Sequence, residues 1–179
     1  MKKNILFAAA ALALLAGPAG AADIGAFGSY WATEDADEAL GAGAKVRFGV
    51  FELRGTYFSD VTADVEPESR DFEVSAIPLE AGVAFKFAER ARFSPYIGGG
   101  AGYYLLDTTE GDIDDEVGYY AVLGTDIGSP DGLSFMVEGI YRSMEATVRG
   151  NFNDDPSVDE DVDIQLGGLG LNAGIVWRF

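Results

Sequence analysis

From residue 24 to residue 179 the apolar residues recur every second position, and no stretch of useful length carries the 3.6-residue period of an amphipathic helix. That period commits the chain to strands with two unlike faces. Eight strands are expected, at about 24–32, 39–49, 51–60, 73–87, 93–106, 117–128, 133–145 and 164–179. The last is the clearest: Leu169, Leu171, Ala173, Ile175, Trp177 and Phe179 share one face. Gly168, Gly170, Asn172, Gly174 and Arg178 share the other, with Val176 as the exception. The second strand sets Leu40, Ala42, Ala44, Val46 and Phe48 against Gly41, Gly43, Lys45 and Arg47, and the four strands from the third, fourth, sixth and seventh segments repeat the split. In the first strand Ile24, Ala26 and Tyr30 compete with Phe27 and Trp31 for the apolar face.

The connections alternate in length. Gly49-Val50, residues 88–92 and Ser129–Gly132 are short and tight; 33–38, 61–72, 107–116 and 146–163 are mostly longer and polar. An even number of strands lets the first and last pair antiparallel, which leaves no open edge. The fold expected is therefore all-β: an eight-stranded antiparallel up-and-down transmembrane β-barrel, with strands long enough for a tilted crossing.

Charge sharpens this reading. The chain carries a net charge of −18, yet 23 of its 30 acidic residues fall in the four long connections and their strand ends, beside only Arg70 and Arg149. A soluble acidic protein spreads its charge over every solvated surface, whereas here a near-neutral body wears acidic caps. On the polar face of the strands sit Lys45, Arg47, Arg54, Lys86, Arg142 and Arg178, opposed by Glu52, Glu80, Asp126 and Glu138. An unpaired charge inside a narrow barrel is expensive, so these are expected to pair. Eight strands enclose a space that side chains just fill, which favours a closed plug over a gated ion path.

Ahead of the strands, Lys2 and Lys3 precede the apolar run Ile5–Leu15, a Gly17-Pro18 break and a small-residue site at Ala19-Gly20-Ala21. This layout is expected to be a cleaved secretory signal peptide, residues 1–21, which leaves 22–179 as the barrel. The run is too short to span a bilayer as a helix. With Lys2 and Lys3 removed, the net charge becomes −20, which together with the lack of a basic patch excludes nucleic acid as a partner. The aromatic residues Tyr30, Trp31, Tyr103, Tyr104, Tyr119, Tyr120, Tyr141, Trp177 and Phe179 lie near strand ends and are expected to form interfacial girdles.

Chemistry is sparse. With no histidine and no cysteine, Ser-His hydrolysis, thiol nucleophiles and zinc sites built on either residue are excluded. Glu80 and Glu138 are the remaining acid–base candidates, and a structural role suits them better. Gly168-x-Gly170-x-x-Ala173 has the spacing of a dinucleotide fingerprint but lies in a terminal strand with no helix after it. The acids Asp112, Asp114, Asp159, Asp161 and Asp163 are weak candidates for a divalent cation. The calcium-loop pattern fails, because Val117 and Ile164 stand where glycine is required. No cofactor and no enzymatic activity are expected.

The segment Ser94-Pro95-Tyr96-Ile97-Gly98-Gly99-Gly100-Ala101-Gly102-Tyr103 and the closing Gly170–Phe179 resemble the small outer-membrane barrel families, the OmpA-type transmembrane domains and opacity-like porins. The resemblance implies a protein exported through the periplasm to the outer membrane of a Gram-negative-type bacterium. It also implies contact with outer-membrane lipid and lipopolysaccharide, and a carboxy-terminal signal for the assembly machinery carried by Leu171, Ile175, Trp177 and Phe179. The histidine-dependent enzymes of this size class are not matched. The sequence ends at Phe179, so the cell-wall tether of longer OmpA-like proteins is not expected. Two roles follow: a structural or surface-interaction barrel presenting acidic loops to cations or cell-surface ligands, and, as the alternative, a narrow porin-like channel or transporter for small solutes.

Overall fold

A computed structural model describes residues 22–33, 38–64, 71–88, 91–108, 112–113, 115–150, 160–165 and 167–179. The proposed leader, 1–21, lies outside the described residues. The strands are β1 (Ala22–Thr33), β2 (Ala39–Phe48), β3 (Phe51–Asp64), β4 (Asp71–Lys86), β5 (Phe93–Thr108), β6 (Asp112–Ile113), β7 (Glu116–Gly128), β8 (Leu133–Ser143), β9 (Glu145–Gly150), β10 (Glu160–Gln165) and β11 (Gly168–Arg178). Eight of them close a barrel in the order β1-β11-β8-β7-β5-β4-β3-β2, with every neighbouring pair antiparallel. Among the described residues there is no helix. The expected fold is the observed one.

Closure is made by β1 and β11, paired from Asp23↔Arg178 to Thr33↔Gly168. At the turn end, Phe179 donates its N–H to the Ala22 carbonyl at 3.1 Å, which ties the last residue to the first strand. The β2–β3 hairpin turns on two residues, Gly49 and Val50, and Gly49 holds φ 59°, the left-handed region that favours glycine. The β3–β4 ladder shifts register between Phe58 and Val61. Pro78, which has no N–H to give a ladder, lies on β4 in register with Tyr104 of β5.

Side-chain parity sorts the two faces. In β8 exposure alternates without a break: Leu133, Phe135, Val137 and Tyr141 lie outside, Ser134, Met136, Glu138, Ile140 and Arg142 inside. The first strand resolves in favour of Ile24, Ala26 and Tyr30 as the outer face, with Phe27 and Trp31 buried. The reason lies across the seams. Phe27 is in register with Gly43 on β2 and Gly174 on β11, so its ring rests over two positions without side chains. Val176, the inward exception on the last strand, packs with Phe27 and Met136. Val46 has outward parity yet is buried; its register partners are Ile24 and Leu53.

The structure corrects the sequence reading in two places. Segments 107–116 and 146–163, read as loops, contain β6, β9 and β10, which form a separate three-stranded sheet in the order β10-β9-β6. Within the barrel's longest connection, β9 and β10 pair antiparallel, from Glu145↔Gln165 to Gly150↔Glu160. Second, Trp31, Tyr104 and Tyr120 do not belong to a girdle, because all three are buried inside the barrel. Outward-facing rings do form two bands. At the loop end they are tyrosines (Tyr57, Tyr103, Tyr119 and Tyr141, with half-buried Tyr30). At the turn end they are Phe51, Phe85, Phe93, Phe135, Trp177 and Phe179. Amphipathic phenol rings at the rim and apolar residues between suit a lipid-facing wall.

Candidate functional site: the charged lumen

Ten charged residues expected on the inner face all lie inside, and ionic contacts bring them together. Near the turn end, Asp126 on β7 receives Arg178 Nη2 at 2.8 Å and Lys86 Nζ at 3.0 Å, with Arg47 Nη1 at 3.9 Å. Lys86 also pairs with Asp23. Above this layer, Glu52 accepts hydrogen bonds from Arg47 Nη2 at 2.5 Å and from Arg54, while Lys45 lies 3.7 Å away.

The hub is Glu138, fully buried on β8. Its Oε1 accepts hydrogen bonds from Tyr96 Oη at 2.6 Å and from Lys45. Its Oε2 accepts from Arg54 Nη1 at 3.1 Å and Asn172 Nδ2 at 3.0 Å. Asn172 in turn accepts from Ser29 Oγ at 2.7 Å. Every lone pair of the carboxylate is thus engaged by a strand other than its own, which is what a buried charge requires. Farther toward the loop end, Arg142 reaches Glu80 through Nε at 2.8 Å and Nη2 at 3.3 Å, and Tyr104 Oη donates to Glu80 at 3.3 Å. The Arg142 guanidinium lies 5.4 Å from the Trp31 ring and 5.6 Å from Phe58. There the ionic interior gives way to an apolar cluster of Trp31, Ala39, Phe58, Ala76, Tyr104, Leu106 and Met144.

Inward glycines are where these rings go. A Cβ on Gly124 would stand 2.6 Å from Tyr96 Cζ, on Gly41 2.6 Å from Phe58 Cδ1, on Gly43 2.6 Å from Phe27 Cζ, and on Gly82 2.6 Å from Tyr120 Oη. Glycines on β2, β4 and β7 therefore leave space that aromatic side chains occupy, three of them from the register position on the adjacent strand.

Sequence reasoning did not place Asp23, Ser29, Tyr96 or Tyr104 in the network, and it put Asn172 on the inner face without giving it a partner there. Asp23 shares the parity of Gly25 and Phe27, so the undecided first strand concealed it. Tyr96 and Tyr104 bring a phenol to a buried carboxylate, and nothing local in the sequence distinguishes such a phenol from a packed ring.

The closing residues Leu171, Ile175, Trp177 and Phe179 form one exposed outer stripe, and the Trp177 and Phe179 ring centroids lie 6.4 Å apart. Of the weak cation candidates, Asp114 and Asp159 lie outside the described residues. Asp112, Asp161 and Asp163 are placed by their backbone alone, Asp112 and Asp161 each in register with Arg149. Among the described residues no three acidic side chains gather as metal ligands would.

No protein-family model matches the chain, and no curated protein matches it by sequence. Solved structures do. The outer membrane protein OprG from Pseudomonas aeruginosa superposes with a TM-score of 0.71 at 15% identity, covering 90% of this chain and 96% of that one. The outer membrane protein AlkL, determined in lipid bilayers, gives 0.55 at 17% identity over 92% and 94% of the two chains. The Neisserial surface protein NspA gives 0.54 at 15% over 89% and 96%. At such identities the likeness is one of fold. With the closed eight-stranded topology, the two aromatic bands and the charge-paired interior, it establishes that this chain has the fold of the small outer-membrane β-barrels.

Proposed function

We propose that the protein is a sealed outer-membrane barrel with a structural and surface-presenting role, not an open pore and not an enzyme. The observation that carries this reading is the Arg54–Glu138 ion pair at 3.1 Å. β3 and β8 stand four strands apart whichever way round the barrel is counted, so this contact joins opposite walls. Lys45, Tyr96 and Asn172 converge on the same carboxylate, and a column of water passes only if they part. Both lumenal carboxylates with acid–base potential, Glu80 and Glu138, are held by arginine, which supports a structural role for them. Export by the leader at 1–21, placement in the outer membrane and contact with lipopolysaccharide complete the proposal.

A second reading, passage of small solutes, has one observation in its favour. The loop end of the lumen is apolar instead of ionic, and the buried Trp31 Nε1 and Arg142 Nη1 there have no hydrogen-bond partner among the described residues. Single-channel conductance of the refolded protein in a planar bilayer separates the two. The wild type is expected to insert and stay silent, while Glu138→Ala and Arg142→Ala open it. Steady conductance by the wild type would rank the pore reading first.

The stripe of Leu171, Ile175, Trp177 and Phe179 is proposed as the signal read by the assembly machinery. Deleting Phe179 is expected to remove most of the folded, heat-modifiable barrel from cell envelopes, yet leave refolding in detergent close to wild type. Equal losses in both would show that Phe179 serves barrel stability alone.

A further inference from the structure

Where the ionic part of the lumen meets the apolar cluster, donors outnumber acceptors. Glu80 is the carboxylate of that level. Its Oε1 takes Arg142 Nε at 2.8 Å and Tyr104 Oη at 3.3 Å, and its Oε2 takes Arg142 Nη2 at 3.3 Å. Arg142 Nη1 and Trp31 Nε1 are left over, neither with a hydrogen-bond partner among the described residues. Both side chains belong to residues at most 1% exposed, so bulk water does not satisfy them. A buried donor without an acceptor is costly, most of all on a charged group.

Two glycines bring these donors together. Gly168 and Gly170 are successive inward positions on β11, Gly168 in register with Arg142 and Gly170 in register with Trp31. With no side chain on β11 between them, the Arg142 guanidinium reaches across that strand to within 5.4 Å of the Trp31 ring. Room beside it is tight: a Cβ on Gly170 would stand 2.9 Å from Ile140 Cγ2 and 3.4 Å from Arg142 Nη1. Whatever accepts from both donors is therefore no larger than a few atoms. Charge is a second, independent constraint. The ion-paired interior holds six bases against five acids, Asp23 included, and so carries one positive charge in excess. Glu80 answers Arg142 locally, so the excess belongs to the column as a whole, and a low-dielectric interior makes it felt along that column.

From these two observations we propose that the loop end of the lumen binds one small monovalent anion of the halide or nitrate class. The anion accepts from Arg142 Nη1 and Trp31 Nε1 and offsets the excess charge. Phe58 and Met144 make the surroundings apolar, so a weakly hydrated ion, which loses least on leaving water, fits best. A divalent anion such as sulfate is larger, surrenders more hydration and turns the excess negative. A neutral acceptor satisfies the donors but leaves the charge. The site goes beyond the structural reading of the barrel, and its occupancy is independent of whether the lumen conducts.

Trp31 and Trp177 are the chain's two tryptophans, so the test uses the full chain carrying Trp177→Phe, in which emission reports Trp31 alone. It is refolded into phosphatidylcholine vesicles in graded sodium bromide, with ionic strength held by sodium sulfate, so that the ion reaches the site before the barrel closes. Bromide quenches an indole that it touches. Occupancy is expected as a saturable loss of Trp31 emission, half complete on the order of 1–10 mM, as two hydrogen bonds, one of them from a cation, should give. Sodium chloride in place of part of the sulfate is expected to restore the emission. Arg142→Lys keeps a charge for Glu80 but lacks the second guanidinium arm, and should raise the half-saturating concentration about tenfold or more while the barrel keeps its heat-dependent gel mobility. Emission indifferent to bromide, quenching that grows without saturating, or quenching that chloride leaves in place would each overturn the proposal, and these arms decide whether or not Arg142→Lys folds. A folded Arg142→Lys variant that binds bromide as tightly would overturn it as well.

Discussion

Replacing Glu138 by alanine is expected to destabilise the barrel by about 3–5 kcal/mol, the usual cost of leaving a buried charge without its partner. The substitution removes the acceptor of four donors at once: Lys45, Arg54, Tyr96 and Asn172. Glu52, which already pairs with Arg47 and Arg54, then becomes the nearest carboxylate for Lys45 as well. Counting Asp23, the wild-type interior sets six bases against five acids, an excess of one positive charge. Glu138→Ala raises that excess to two, and adding Lys45→Met returns it to one. The double variant should therefore regain part of the loss, read as a urea unfolding midpoint in vesicles followed by tryptophan emission. A double variant no more stable than Glu138→Ala would mean that the hydrogen-bond acceptor, not the charge balance, is what the interior needs.

This energetic role explains why so much of the molecule is legible in the sequence. In a barrel the pleat ties parity to environment, so a charged residue two positions from another on a strand shares its face. Lys45 with Arg47, and Glu52 with Arg54, declare the inner face of the first hairpin; Glu138 with Arg142 declares that of β8. Which base meets which acid is not local. Arg54 meets Glu138 because β3 and β8 are diametrically opposed, a property of strand number and closure.

The misplaced aromatics show the same boundary. Tyr103 and Tyr104 are consecutive, as are Tyr119 and Tyr120, so the pleat sends one of each pair outward and one inward. Closeness to a strand end treats both alike, and the structure buries Tyr104 and Tyr120. Charge-rich segments misled in another way. Acid density at 107–116 and 145–163 reads as solvated loop, yet β6, β9 and β10 pair there through contacts between two separate connections. Each of those strands is too short to show a period of its own.

Glycine chemistry at the closing seam leads to the second large effect. Gly174 on β11 is in register with Phe27 on β1, and a Cβ there would stand 2.6 Å from Phe27 Cα and closer still to the Ala26 carbonyl oxygen. Both are backbone atoms, so neither can swing aside, and the strands that must meet to close the barrel are held apart. Gly174→Ala is expected to cost about 3 kcal/mol or more, the upper range for overpacking, and to leave much of the chain unclosed. Gly28, on the same seam but facing outward, has no atom nearer than 4.0 Å to the same construction. Gly28→Ala should therefore be neutral within about 0.5 kcal/mol, or mildly stabilising through the lower entropy of the unfolded chain. The two variants change the same residue type by the same methyl group on adjacent strands, and differ only in which face receives it. Comparing their heat-modifiable fractions across a urea series therefore isolates packing inside the lumen from strand propensity. If Gly174→Ala closes as readily as Gly28→Ala, the inward glycines are not what admits the aromatic rings, and the proposed seal would have to rest on the ion pairs alone.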